Sequence, residues 1–284
     1  MTTDLEQMRD PLGLLRLGYA KPLLGHAAAR WENGVTRPSE EEVAEEVPVA
    51  LVYNGVPHVV MMATPADLED FALGFSLTEE LIRTPADLTE ARVVTYGQGI
   101  EVQLTVDPAC DAGIASRTRR LTGRTGCGIC GSDSIAAVLK QLHPVGPGGT
   151  GPIAGAAIQR AMSELAANQP LNRAAGAVHA AGWATPEGQV TSVREDVGRH
   201  NALDKLIGAL ARARVDPATG FVVVTSRASF EMVQKTTVLG AGLMAAVSGP
   251  TGLAIRVAQQ AGLTLVGFVR SGRHTVYTHP GRVA

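Results

Sequence analysis

From residue 153 to residue 277 the sequence alternates two hydrophobic periods, and that alternation leaves few architectures open. Apolar residues at helical spacing predict helices over 153–167, 201–212, 231–239 and 253–261. Between and after them lie short runs that predict strands at 174–183, 189–193, 221–224, 245–247, 263–266 and 274–277. The run Phe221-Val222-Val223-Val224 has no polar residue at alternate positions, so both of its faces must be buried. Helices interleaved with such strands give an α/β layer fold around a mainly buried sheet.

The first third reads differently. Two apolar runs, 47–53 and 56–62, flank Asn54-Gly55, which predicts a hairpin with a type I′ turn. Thr64-Pro65 then offers an N-cap and an N1 proline, and Leu68, Phe71, Ala72 and Phe75 mark the buried face of a helix ending near Ile82. Residues 91–96 and 100–106 predict a second hairpin. The Pro/Gly-rich stretch 143–152 is a natural linker. The expected organisation is therefore α/β in two parts: a small N-terminal α+β domain over 40–145 and an α/β domain over 146–284. Residues 1–39, which mix leucine with glycine and proline without a period, are expected to form a poorly ordered extension.

Twenty-five basic and twenty-seven acidic residues give a formal charge of −2, so no global field attracts nucleic acid or an anionic membrane. Any anion site must be local. Three cysteines in 284 residues make no disulfide framework, which implies a reducing compartment, with the cytoplasm as the default. The acidic start lacks the pattern of a signal peptide, and no apolar run is long enough to span a bilayer.

Two of the three cysteines stand in Arg124-Thr125-Gly126-Cys127-Gly128-Ile129-Cys130-Gly131. Glycines around Cys127 remove bulk, so its sulfur can be presented rather than packed. Ser132, Asp133 and Ser134 offer N-caps for a helix running towards His143, which would set both sulfurs near a positive helix end. Arg117, Arg119, Arg120 and Arg124 precede the pair with no acid between 112 and 132. That field favours the thiolate and attracts an anionic substrate.

Polar residues in the second half gather at strand ends, where α/β sheets bind ligands. Asp196, Arg199, His200, Asn201 and Lys205 follow one strand, and Ser226 and Arg227 follow the run 221–224. A third loop after 263–266 holds two arginines and two glycines. Hydroxyls, arginines and helix N-termini at three strand ends suggest one pocket for a phosphorylated ligand. Caps and surface salt bridges would use the same residue types. A structural zinc site would need a second cysteine pair, and only Cys110 remains. His179-Ala180-Ala181 has the histidine of a deaminase H-x-E but Ala181 in place of its glutamate, which disfavours deamination. A thioredoxin-type dithiol would sit after an early strand rather than an Arg/Gly loop.

Taken together, the stretches from Glu46 to Val49, Asn54-Gly55, Gly74-Phe75, the cysteine motif, the run Arg194 to Lys205, Thr225-Ser226-Arg227 and Thr275 to Pro280 resemble the FdhD family of formate dehydrogenase accessory sulfurtransferases. The resemblance implies a cytoplasmic homodimer that takes sulfur from a cysteine desulfurase as a persulfide. It passes that sulfur to the bis-molybdopterin guanine dinucleotide form of the molybdenum cofactor, destined for formate dehydrogenase, and GDP can mimic the cofactor. It further implies a C-terminal domain folded like a cytidine deaminase, Cys127 as the persulfide carrier and Cys130 as helper or resolving thiol. The cofactor-binding segment falls on Phe268, Val269, Arg270, Ser271, Gly272 and Arg273. His179 is counted among the cofactor-binding candidates, although a histidine beside alanines is more often a satisfied core or pocket residue than a ligand. The contrasting reading is a non-catalytic cofactor carrier whose cysteines tether or sense redox state.

Overall fold

The computed structural model describes residues 21–96, 99–121, 143–146 and 151–284 of a mixed α/β chain. Cys127, Cys130 and the helix expected after them lie outside the described residues.

Strands β1 (Leu23–Glu32) and β2 (Val35–Ala44) pair antiparallel across Asn33-Gly34, whose φ angles of 49° and 84° are those of a hairpin turn. This corrects the expectation of a loose extension over residues 23–39. The hairpin is exposed on nearly every residue, so its sequence carries no alternation of buried and exposed positions to betray it.

A second sheet has the order β4-β3-β6-β5, from β3 (Val47–Tyr53), β4 (Val56–Ala63), β5 (Leu88–Tyr96) and β6 (Gly99–Val106). Both hairpins follow the sequence reading; β3 and β6 join them in parallel. Helix α1 (Leu68–Thr78) packs Leu68, Phe71 and Phe75 against Val49, Leu51 and Val102 in a single core. Each such side chain contributes roughly 1.5–3 kcal/mol by leaving water. The helix stops earlier than expected because Glu80 takes φ 53°; Leu81 and Ile82 are buried beyond its end and prolong the apolar period. The start of the acid-free basic stretch, for which the sequence predicts no helix, lies in α2 (Asp111–Leu121), which is anchored by buried Ile114 and by Asn54 Nδ2 donating to Asp111 Oδ1 at 2.8 Å.

The large sheet has the order β12-β11-β10-β9-β7-β8. Its strands are β7 (His179–Ala184), β8 (Val190–Asp196), β9 (Phe221–Val224), β10 (Leu243–Ala246), β11 (Thr264–Arg270) and β12 (Arg273–Val276). β9, β10 and β11 are parallel. Helices α3 (Gly155–Ala167), α4 (Pro170–Ala175), α5 (Arg199–Arg212), α6 (Phe230–Leu239) and α7 (Gly252–Ala261) complete the half. Leu206, Met232 and Val257 pack with Val222, Val224 and Met244, while Ile158 and Leu165 of α3 pack with Phe221, Val223 and Ala245. The all-apolar β9 is covered on both faces, as its sequence required. The strand expected from residue 174 starts only at His179. Pro170 opens α4, Glu195 accepts from Leu171 N and Asn172 N, and Gly176 at φ 67° ends it.

Ion pairs tie the halves together: Asp70 of α1 meets Arg194 of β8 at 2.7 Å and Arg212 of α5 at 3.0 Å. No helix among the described residues is long and apolar enough to cross a membrane.

Candidate functional site

The carboxyl ends of β8, β9, β10 and β11 and the amino end of β7 share one edge of the large sheet. His179 pairs with Asp196, Ala181 with Val224, and Val224 with Ala246, while Phe268 N donates to Ser248 O. Helices α5, α6 and α7 all start from this edge, so the backbone N–H groups of three first turns face it, one of them, Ala254 N of α7, already donating to Thr251 Oγ1.

Three of the expected ligand residues turn inward. Lys205 Nζ lies 2.7 Å from Asp196 Oδ2 with both side chains fully buried. Asp196 also accepts from Thr64 N, Gly198 N and Asn201 Nδ2. Lys205 donates to Thr64 O and Glu195 O, and Asn201 to Met62 O. A buried charge persists only when paired and hydrogen-bonded, and this group is both. Its work is to fasten the β4–α1 loop under the first turn of α5, which holds Arg199 and His200 at the edge. Ser226 is buried as well, its hydroxyl donating to Arg227 O. Val269 is fully buried in the core.

The remaining residues form two groups. On the β7 side, His179 is half-buried, and burial first, then the neighbouring Arg199 and His200, lower its pKa, with Asp196 opposing. Arg199 keeps a buried Nε without a hydrogen-bond partner among the described residues. His200 Nε2 lies 3.5 Å from Glu231 Oε2, which accepts from Ser229 Oγ at 2.7 Å. Burial resists ionisation of Glu231, yet His200 and Ser229 outweigh it and hold its pKa at about 2. From the sequence, Ser229 belongs to the strand-end loop suited to phosphate and Glu231 to the helix after it; their partnership with His200 depends on α5 and α6 lying side by side.

On the β11 side, a bulge between Gly267 and Arg270 and a φ of 53° at Phe268 turn that ring outward. It lies over Gly249, where a methyl would come within 2.6 Å, and Arg270 Cζ is 5.9 Å from its centre. Arg270, Ser271, Gly272 and Arg273 are exposed at the β11–β12 turn. Exposed Arg227 stands between the groups, on the loop whose Ala228 bridges to Pro250. Three strand spacings, about 14 Å, separate β7 from β11. The edge thus offers cations and helix N-termini at one end and an aromatic face at the other. No cluster of three or more metal-ligating side chains occurs among the described residues.

A model of the FdhD/NarQ family matches residues 44–284. A relative from Cupriavidus necator, named sulfur carrier protein FdhD, is 52% identical over 257 residues, which cover 90% of this chain and 88% of the relative. A protein of the same name from Xanthomonas campestris pv. campestris is 53% identical over 254 residues, 89% of this chain and 90% of its own. A solved structure from Desulfotalea psychrophila, described as a candidate formate dehydrogenase accessory protein, superposes with a TM-score of 0.73 at 24% identity, over 92% of this chain and 99% of that one. At that identity the likeness speaks for the fold.

Proposed function

The chain belongs to the FdhD/NarQ family, and from that premise we propose that it carries persulfide sulfur from a cysteine desulfurase to the bis-molybdopterin guanine dinucleotide form of the molybdenum cofactor, for formate dehydrogenase. The observation that carries this reading is the 52% identity, over 90% of the chain, to a relative named as a sulfur carrier. The Cys-x-x-Cys motif within its matched range supplies the chemistry.

The Cys127 thiolate attacks the terminal sulfur of the donor persulfide; a new S–S bond forms on Cys127, the donor's S–S bond breaks, and the desulfurase cysteine leaves as thiolate. Delivery needs two electrons to turn that sulfur into sulfide. Attack of the Cys130 thiolate on Cys127 Sγ supplies them, forming the Cys127–Cys130 disulfide and expelling hydrosulfide to the acceptor. A dithiol reductant then restores both thiols.

The cofactor is cargo, held by its phosphates and guanine. Arg199, His200 and Arg227 with the N-termini of α5 and α6 suit the phosphates. Phe268 offers a stacking face for a guanine, with Arg270 and the turn through Ser271, Gly272 and Arg273 beside it. His179, close to Arg199 and His200, would join the first group, and Asp196, Asn201 and Lys205 support it from within. GDP would occupy the same places. The large sheet would be a cytidine-deaminase-like scaffold that lost its chemistry, since Ala181 is buried where H-x-E requires glutamate. The protein would work as a cytoplasmic homodimer.

The test is maturation of formate dehydrogenase in cells carrying Cys127→Ala. Inactive dehydrogenase is expected; full maturation would remove Cys127 from the mechanism.

A further inference from the structure

The corner where α5 and α6 begin holds buried donors that no described residue satisfies. Arg199 Nε and His200 Nε2, on adjacent residues, are both buried and make no hydrogen bond among the described residues. Gly198 opens α5 without a side chain to cap it, and the side chain of Ser229, which opens α6, caps none of the first-turn N–H groups. A serine in that place ordinarily accepts from one of them. Here its hydroxyl donates instead to Glu231 Oε2 at 2.7 Å. An unmet buried donor costs about 1–3 kcal/mol, which a bound anion would recover.

Glu231 is at odds with this setting, because a carboxylate beside an anion site repels the anion. It is ionised nonetheless: burial opposes the charge, but His200 and Ser229 hold its pKa at about 2. Its Oε2 lies 3.5 Å from His200 Nε2, and the two side chains are only 17% and 16% exposed. That separation is within ion-pair range but long for a formed hydrogen bond. An ionised carboxylate can only accept, so the ring nitrogen facing it is favoured as N–H over a lone pair. Neighbours of this kind decide which imidazole nitrogen carries the proton. A phosphate oxygen has the same requirement, since a lone pair on Nε2 would repel it.

We propose that Glu231 is a positioning residue for phosphate binding: it keeps a proton on His200 Nε2, so that the ring presents a donor to a phosphate oxygen of the nucleotide at the α5–α6 corner. The proposal rests on the reading of this edge as the place of the cofactor's phosphates. Arginine donates in every state, whereas a neutral imidazole donates from one nitrogen and accepts at the other. His200 therefore needs a neighbour that directs its proton, and Arg199 does not.

Glu231→Gln keeps the side chain's size but offers a donor as well as an acceptor, so the ring proton is no longer directed. Protein labelled with nitrogen-15 histidine is studied by NMR about two units above the ordinary histidine pKa of about 6.5, the His200 signals being identified by their loss in His200→Ala. Nε2 is expected to carry a proton in the unsubstituted protein and to lose a large share of it to Nδ1 in Glu231→Gln. A bare Nε2 in the unsubstituted protein, or a proton that ignores the substitution, would overturn the proposal. Titration calorimetry with GDP should show binding weakened about tenfold in Glu231→Gln, the worth of one charge-assisted hydrogen bond. Relief of repulsion alone would tighten it, so unchanged or tighter binding contradicts the positioning role. In a His200→Ala background the same substitution should weaken GDP binding no further. Equal losses in both backgrounds would mean that Glu231 acts apart from His200 or through stability, and would equally overturn the proposal. If the unsubstituted protein bound no GDP, the phosphate-site reading would fall, while the ring spectra would still decide whether Glu231 directs the His200 proton.

Discussion

Gly74 of α1 and Gly208 of α5 bring their helices into backbone contact: a methyl on Gly208 would come within 1.9 Å of Asp70 O, and one on Gly74 within 1.8 Å of Asp204 O. This approach is what allows Thr78 Oγ1 to donate to Asp204 Oδ1 at 2.7 Å, joining the two halves. Gly208→Ala should destabilise the protein by about 1–3 kcal/mol or more, because two backbones must separate. Gly113→Ala is the opposite case. It lies in exposed α2 with nothing within 4 Å of the added methyl, and should stabilise by about 0.5–1 kcal/mol. Urea unfolding of both variants tests the pair; effects of the same sign would contradict it.

The Lys205–Asp196 pair supports the site from beneath. Lys205→Met leaves the Asp196 charge buried and short of its partner, with an expected cost of about 3–5 kcal/mol. Urea unfolding measures that cost. A loss of GDP binding without loss of stability would instead mean that Lys205 faces the ligand.

His58 should make the fold acid-sensitive. Burial lowers its pKa from 6.5 to about 4; Glu79 opposes the shift and Arg117 adds to it. Between those values the unfolded chain binds a proton that the folded protein does not. The contribution is thus complete above pH 6.5 and is lost as pH falls through 4. Phenylalanine would preserve the edge contacts of this ring with Tyr53 and Phe75. Denaturation of His58→Phe from pH 7 to 4 should show a shallower loss of stability than the unsubstituted protein, and parallel curves would rule His58 out.

Arg199 should matter for nucleotide binding out of proportion to its exposure. Arg199→Ala is expected to weaken GDP binding about 10- to 100-fold, the worth of a charge-assisted hydrogen bond. Arg30→Ala, which breaks only the exposed pair with Glu41, should leave it unchanged. Titration calorimetry with GDP separates the two, and equal affinities would place the phosphates elsewhere.

The sequence disclosed the elements whose burial leaves a period. β9 has four apolar residues because helices cover both of its faces, and Asn54-Gly55 turns where the angles require it. The β1–β2 hairpin escaped notice because exposure on both faces erases the alternation; Asn33-Gly34 was its one signal. Within the site, the strand-end placement of Arg199, His200 and Phe268 followed from sequence order. The inward turn of Asp196, Asn201 and Lys205 did not, since partners such as Thr64 and Met62 lie more than a hundred residues away. Glu80 carries no local signal at all. Its partners Arg117 and His143 lie 37 and 63 residues along the chain, and only the fold brings them to it.

The central claim is that Cys127 carries sulfur. Cysteine, a cysteine desulfurase and the protein are incubated together, and the peptide containing Cys127 is weighed by mass spectrometry before and after a thiol reductant. The expected result is a gain of one sulfur atom on Cys127, removed by reductant and absent from Cys127→Ala. A Cys127 peptide that never gains sulfur, in the presence of an active desulfurase, would contradict the claim.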